Sequence, residues 1–202
     1  MNDLWAVFIE QLLATSWFEG IAVFFGLASV WYSKQEHIWV YPTGIISVLI
    51  YVYICFSYKL YADMGINGYY FVMSVYGWYH WTDTDGTKPQ IPISINNRQE
   101  NIISALIMIS SFLLIRFGLD FTDTDVPTWD SMTTATAITG MWLMARKKIE
   151  NWLAWIITDI ISVPLYLYKG LPLTSFQFLI FTGLAIWGYQ SWKTKYRRSL
   201  IS

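Results

Sequence analysis

Charge is what this sequence has least of: Asp, Glu, Lys and Arg make up 13% of its 202 residues, against roughly a quarter in soluble domains. The two signs nearly cancel, leaving a net charge of −1, so the basic face that a nucleic-acid partner needs is missing. One cysteine, Cys55, cannot close an intramolecular disulfide, and no CxxC or Cys/His zinc spacing occurs. No GxxxxGK[ST] phosphate loop, HExxH or GxSxG is present, which excludes ATP hydrolysis by that route and removes the common hydrolase signatures. His37 and His80 stand near the ends of apolar stretches and make no metal pair. The chain therefore reads as a non-enzyme without cofactor or metal. Its start, MNDLW, lacks the basic segment of a secretory signal and reads as mature sequence.

What is abundant is apolar and aromatic surface, 55% and 19% of residues. That is too much for one soluble core. A bilayer core of about 30 Å takes roughly 17–25 apolar residues as helix, and seven such stretches lie near 17–33, 38–57, 60–82, 101–118, 127–146, 149–168 and 172–192. Residues 1–16 carry Asp3 and Glu10 and fit an interfacial helix; an eighth span there would reverse the position of the N-terminus. The fold class expected is an all-α integral membrane protein, a single membrane domain over 1–202.

Basic residues set the orientation. With seven spans, Lys34, Lys88, Arg98, Arg146, Lys147, Lys148, Lys193, Lys195, Arg197 and Arg198 fall on one side, and Lys59, Arg116 and Lys169 on the other. The positive-inside bias puts the larger group, and with it the C-terminal tail 193–202, in the cytoplasm.

The chain also resembles itself. Tyr76–Trp81 matches Trp187–Trp192, Phe18-Glu19 matches Trp129-Asp130, and Trp31 matches Trp142, all 111 positions apart. Residues 44–53 match 159–168 at an offset of 115, which calls for a small difference in loop length. Chance likeness among apolar helices is the competing reading. Repeats of three helices over 17–82 and 127–192, joined by a linker helix 101–118, point the same way. Parallel repeats of this kind place a substrate site at their interface, near the midplane.

Ionisable groups inside a membrane are expensive and mark functional sites. Asp159 is the deepest. Trp152, Trp155, Asp159, Ser162 and Tyr166 share one helical face, with Asn151 at its border. A carboxylate among ring faces suits an organic cation, because each desolvated ring attracts a cation by roughly 0.5–2 kcal/mol. The alternative is an acid hydrogen-bonded to a neighbouring helix. Asn67, Ser74, Trp78 and Trp81 form a second stripe with Tyr70 and Phe71 nearby; its aromatic end also fits an interfacial belt. Gln177 is a polar residue in an apolar run, suited to substrate or to a helix neighbour. Glu19 and Asp130 fit helix-start acids that accept from exposed N–H groups, or a vestibule for cations. Pro42 and Pro164 permit kinks, and Thr133, Thr134 and Thr136 suit close helix packing.

The segments GWYHW (77–81), MARKKIENWLAW (144–155) and DIISVPLYLYKGL (159–171) resemble those of the PnuC-type vitamin transporters, over nearly the whole chain. The resemblance implies a three-plus-one-plus-three arrangement of seven helices similar to a full-length SWEET. It implies facilitated diffusion of nicotinamide riboside, thiamine or riboflavin, trapped by a cytoplasmic vitamin kinase, and a homotrimer in the bacterial inner membrane. It also supplies Asn151, Trp152, Trp155 and Asp159 from one motif, and Trp78 from the other, as substrate contacts. Nicotinamide riboside and thiamine are both flat-ringed cations that suit Asp159. A SWEET-like sugar carrier and a vitamin-binding membrane subunit that needs an energising partner are the rival readings.

Overall fold

The computed structural model describes residues 2–58, 61–82 and 91–201; Lys59 and Lys88 lie outside the described residues. Within them the chain forms eight helices: α1 (Asn2–Ala14), α2 (Trp17–Gln35), α3 (Val40–Ser57), α4 (Tyr61–Trp81), α5 (Arg98–Leu119), α6 (Pro127–Ala145), α7 (Glu150–Tyr168) and α8 (Pro172–Ser199). α2 to α8 coincide with the seven apolar stretches to within a few residues, except that α8 runs on through most of the basic tail. It does so because the tail has partners: Lys195 donates to Glu36 Oε1 at 2.8 Å, and Tyr196 packs on the core.

Caps and turns set the helix ends. Ser16 caps α2 by accepting from the Glu19 N–H at 3.2 Å. A capping box starts α5, with Asn97 and Glu100 each accepting from the other's backbone. Glu36 ends α2 in the left-handed conformation, φ 61°, and sends its N–H back to the last turn. Pro42 falls in the first turn of α3, where no helical hydrogen bond is lost, so it does not kink that helix. Pro164 does lie inside α7, and Ser175 of α8 donates to the adjacent Val163 carbonyl at 2.7 Å.

α3 and α5 are each long and apolar enough to cross a bilayer, and the bent pair of α1 and α2, at 100°, counts together as one further candidate. At about 1.5 Å per residue, the 13 residues of α1 are too short to span alone. α1 packs on α8, and Gln11 ties it to the α7–α8 turn, donating to the Gly170 carbonyl at 2.9 Å and accepting from the Leu173 N–H.

Packing runs α2 on α3 on α4, and α6 on α7 on α8. The two groups meet through α2 against α8 and α4 against α6, while α5 covers α6. Positions 111 apart occupy like places in the two groups. α4 begins at Tyr61 and α8 at Pro172. Tyr41 of α3 lies over Gly77 of α4, and Trp152 of α7 over Gly188 of α8. The Trp81 indole donates to the Ala145 carbonyl at 3.1 Å, and the Trp192 indole to the Ser33 carbonyl at 3.0 Å. The same register holds in α3 and α7, so the offset of 115 read between them is four residues out. A slip of four is about one helical turn; it keeps the same face, which is why the apolar run matches in either register.

Candidate functional site

A cavity of about 490 Å³ lies between the two groups of helices, with walls from α2, α3, α4, α6, α7 and α8. It reaches from Asp63 and Thr174, where α4 and α8 begin, to Tyr41 and Trp152, where α3 and α7 begin.

α7 contributes the face expected from its spacing: Trp152, Trp155, Asp159, Ser162 and Tyr166 all line the cavity. Trp155 is seated by a small residue opposite, since a Cβ at Gly140 would stand 3.3 Å from its indole. In the first group the same places are held by Ser29 and Gly44, so the large ring is peculiar to the second. Tyr166 stacks on Phe178, ring centroids 5.1 Å apart. Asp159 is 4% exposed and faces the cavity, and among the described residues its carboxylate has neither a hydrogen bond nor an ion pair. Its position 111 residues earlier is Val48, so the packing does not require an acid there.

Asn67 and Gln177 also line the cavity. The Asn67 amide nitrogen donates to the Asp63 carbonyl at 2.9 Å on its own helix, and Gln177 lines the same cavity as Tyr51. Two sequence candidates do not reach it. Trp78 is 41% exposed. On α4 the cavity ends at Ser74, one turn before Trp78; beyond it Gly77 packs against Tyr41 and Trp78 turns outward. Asn151 is fully buried beside the α6–α7 turn, its amide donating to the Lys148 carbonyl at 2.5 Å. It fixes the start of α7 and does not contact the cavity.

Sequence reasoning passed over Tyr51, Ser47, Thr134 and Asp63 as lining residues. Tyr70 was legible, three positions after Asn67 and four before Ser74 on the same stripe. Tyr51 stands 111 before Ser162, so the repeat register was the signal for it.

Below the cavity the rings close ranks. Tyr41 meets Trp81 edge-on at 5.2 Å, Trp81 meets Trp192 at 6.0 Å, and Trp192 meets Trp152 edge-on at 5.5 Å. All four are buried. Among the described residues, the Tyr41 hydroxyl and Trp152 indole N–H have no hydrogen-bond partner. Such groups are rare in a settled interior, and both belong to cavity-lining residues.

Charge divides between the two ends. At the end beneath the rings, Glu36 pairs with Lys195 at 2.8 Å and Lys147 at 3.8 Å, and Glu100 with Lys148 at 2.8 Å and Arg146 at 3.3 Å. Burial lowers the Lys147 ammonium from its ordinary pKa, with Glu36 opposing; the ammonium also sits 4.5 Å over the Trp81 ring. Ser94 and its neighbours pin the approach to α5 onto the α6–α7 turn. At the other end Lys169 donates to Asp130 at 2.6 Å, Thr124 to the same carboxylate at 2.8 Å, and Arg116 pairs with Asp120. Asp130 thus accepts from side chains and not from the start of its helix, and Glu19 is exposed.

Residues 16–194 match the family described as Nicotinamide mononucleotide transporter. Among curated proteins, the chain is similar to the nicotinamide riboside transporter PnuC of Escherichia coli (strain K12), 28% identical over 88% of this chain and 85% of that one. It is also similar to the riboflavin/roseoflavin transporter RibM of Streptomyces davaonensis, 24% identical over 98% and 92%. A crystal structure of the vitamin B3 transporter PnuC shares the fold, with a TM-score of 0.71, 22% identity and coverage of 96% and 90%. The chain is an all-helical membrane protein that belongs to the nicotinamide mononucleotide transporter family.

Proposed function

We propose that this protein carries a cationic aromatic B vitamin, nicotinamide riboside or thiamine, across the bacterial inner membrane, with cytoplasmic phosphorylation trapping what enters. The observation that carries this reading is Asp159, a buried carboxylate without a partner among the described residues, set in a cavity beside Trp155, Tyr70 and Tyr166. A flat monocation supplies the missing charge and presents a ring to the indole. Gln177, Tyr51 and Asn67 offer hydrogen bonds to its polar substituents, and Ser74 and Ser162 line the wall between.

In this reading the two groups of helices are parallel repeats, α2–α4 and α6–α8, with α5 as linker, in the three-plus-one-plus-three arrangement of a full-length SWEET. α8 ends in the cytoplasm, as the basic end of the molecule supports. Passage requires the ring floor to open, which separates Trp81 from Ala145 and Trp192 from Ser33. A homotrimer and a partner vitamin kinase belong to the same reading.

The test is uptake of labelled vitamin by the purified chain in liposomes. Saturable uptake of one of the two vitamins, lost in Asp159→Ala with folding intact, supports the proposal. Uptake blocked by glucose and indifferent to vitamins points to a sugar carrier, and binding without uptake to a subunit that needs an energising partner. The similarity to RibM, together with the hydroxyl-lined wall, favours riboflavin as the second reading; as a neutral ring it would leave Asp159 without a role.

A further inference from the structure

Contacts between the two groups of helices come in returned pairs. Trp81 of α4 donates to Ala145 at the end of α6, and Trp192 of α8 donates to Ser33 near the end of α2. Such an exchange of like contacts belongs to a twofold relation, with its axis running between the groups and through the cavity. Two positions related by that axis can touch each other only by meeting across it. Trp81 and Trp192 stand 111 positions apart in the chain, and their ring centroids are 6.0 Å apart. Glu36 and Lys147 also stand 111 positions apart, and their charged atoms are 3.8 Å apart. The way inward from the cavity is therefore crossed by two layers, a pair of indoles and then an ion pair. The Lys147 ammonium, 4.5 Å over the Trp81 ring, joins them.

The backbone departs from the ordinary in the same way at both members of the ion pair. Glu36 has φ 61° and Lys147 φ 52°, and among the described residues no other non-glycine residue has a positive φ. Glycine is the ordinary residue at such a helix end, and a side chain there costs free energy. That cost is accepted at both equivalent positions, and each carries one half of a matched pair. Lys195 of α8 holds the other Glu36 oxygen at 2.8 Å, which fixes the direction of the carboxylate. At the opposite end, Asp63 and Thr174 are likewise 111 positions apart and both line the cavity. Among the described residues no hydrogen bond or ion pair joins those two. The axis is latched at one end and open at the other.

Resting on the transport reading above, we infer that Glu36 and Lys147 are the latch of the inner gate. The pair must part before substrate leaves inward, so it sets how often the carrier opens to that side. Neither residue touches the substrate. They are positioning residues for the transport step, and the site around Asp159 keeps its affinity when they are changed.

The experiment reads the gate directly. The full chain carries a single cysteine at Ser74, a cavity-lining position, in a Cys55→Ala background. It is labelled with a membrane-impermeant maleimide in inverted membrane vesicles, where the reagent reaches the inner end only. Each variant is checked for folding by size exclusion. Lys147→Met should raise the labelling rate about fivefold, the shift given by one partly screened ion pair. Lys147→Glu sets two acids face to face and should raise it further, and adding Glu36→Lys should bring it back toward wild type. Arg146→Met breaks a pair with Glu100 away from the axis and should leave the rate unchanged. Binding of thiamine or nicotinamide riboside to purified Lys147→Met, followed by tryptophan fluorescence, should match wild type. Equal labelling in wild type, Lys147→Met and Lys147→Glu overturns the latch and leaves the transport reading standing. No labelling from the inner end in any of them, with ready labelling from the outer end in right-side-out vesicles, overturns inward opening, and transport and latch fall together.

Discussion

Trp152 lies over Gly188 so closely that a Cβ added to the glycine would stand 2.5 Å from the indole ring. Tyr41 bears the same relation to Gly77, also at 2.5 Å. Both rings are buried to 1% exposure or less, so neither has room to yield. Gly188→Ala and Gly77→Ala should each destabilise by about 1–3 kcal/mol, the usual range for overpacking. Gly183→Ala on the same helix as Gly188 meets nothing within 4 Å and should be neutral or slightly stabilising. Thermal unfolding in detergent separates the three; equal midpoints would contradict the close approach.

Trp81 and Trp192 close the floor by donating across the two groups of helices. Trp81→Phe and Trp192→Phe keep a ring but remove the donor, leaving a buried carbonyl short of a partner. Each should lower stability by about 1–3 kcal/mol, and the double variant should open the floor more readily than either alone. Accessibility of a cysteine probe placed at Ser33, in a Cys55→Ala background, checks the opening. An unchanged labelling rate in the double variant would contradict the gate.

Trp155 faces the cavity and Trp78 does not. Trp155→Ala should weaken vitamin binding by about 1–2 kcal/mol, roughly fivefold to thirtyfold, while Trp78→Ala leaves it unchanged. Titration of each purified variant with the vitamin decides it. A large effect at Trp78 with none at Trp155 would reverse the assignment drawn from the geometry.

Burial depresses the Lys147 ammonium below its ordinary pKa of 10.5. Between the lowered value and 10.5 the unfolded chain holds a proton that the folded chain has given up, so stability rises with pH across that window. Lys147→Met should remove this rise. The measurement is the difference in unfolding temperature between wild type and variant, followed from neutral to alkaline pH; a difference that stays constant would contradict it.

The face of α7 was legible because one helix carries Trp152, Trp155, Asp159, Ser162 and Tyr166 at a single period, and helical spacing alone predicts where they point. Trp78 was not, because spacing gives the face of α4 but not the depth at which the cavity ends; that is set by Tyr41 reaching Gly77 from another helix. Asn151 was misplaced for a similar reason, its amide being taken by the Lys148 carbonyl at a turn that sequence does not show. The register between α3 and α7 was hidden by a slip of one helical turn, which hydropathy cannot detect, and the ring-on-glycine contacts resolve it. Tyr51 went unseen with that register.

The most direct test of the account is equilibrium binding of nicotinamide riboside and thiamine to the detergent-purified protein, followed by tryptophan fluorescence at fixed pH, for wild type and Asp159→Ala. The account predicts saturable quenching by one of the two vitamins, weakened at least about tenfold in the variant, equivalent to about 1.4 kcal/mol. Binding that is equally tight in both proteins, or binding of riboflavin with neither cation bound, would contradict it.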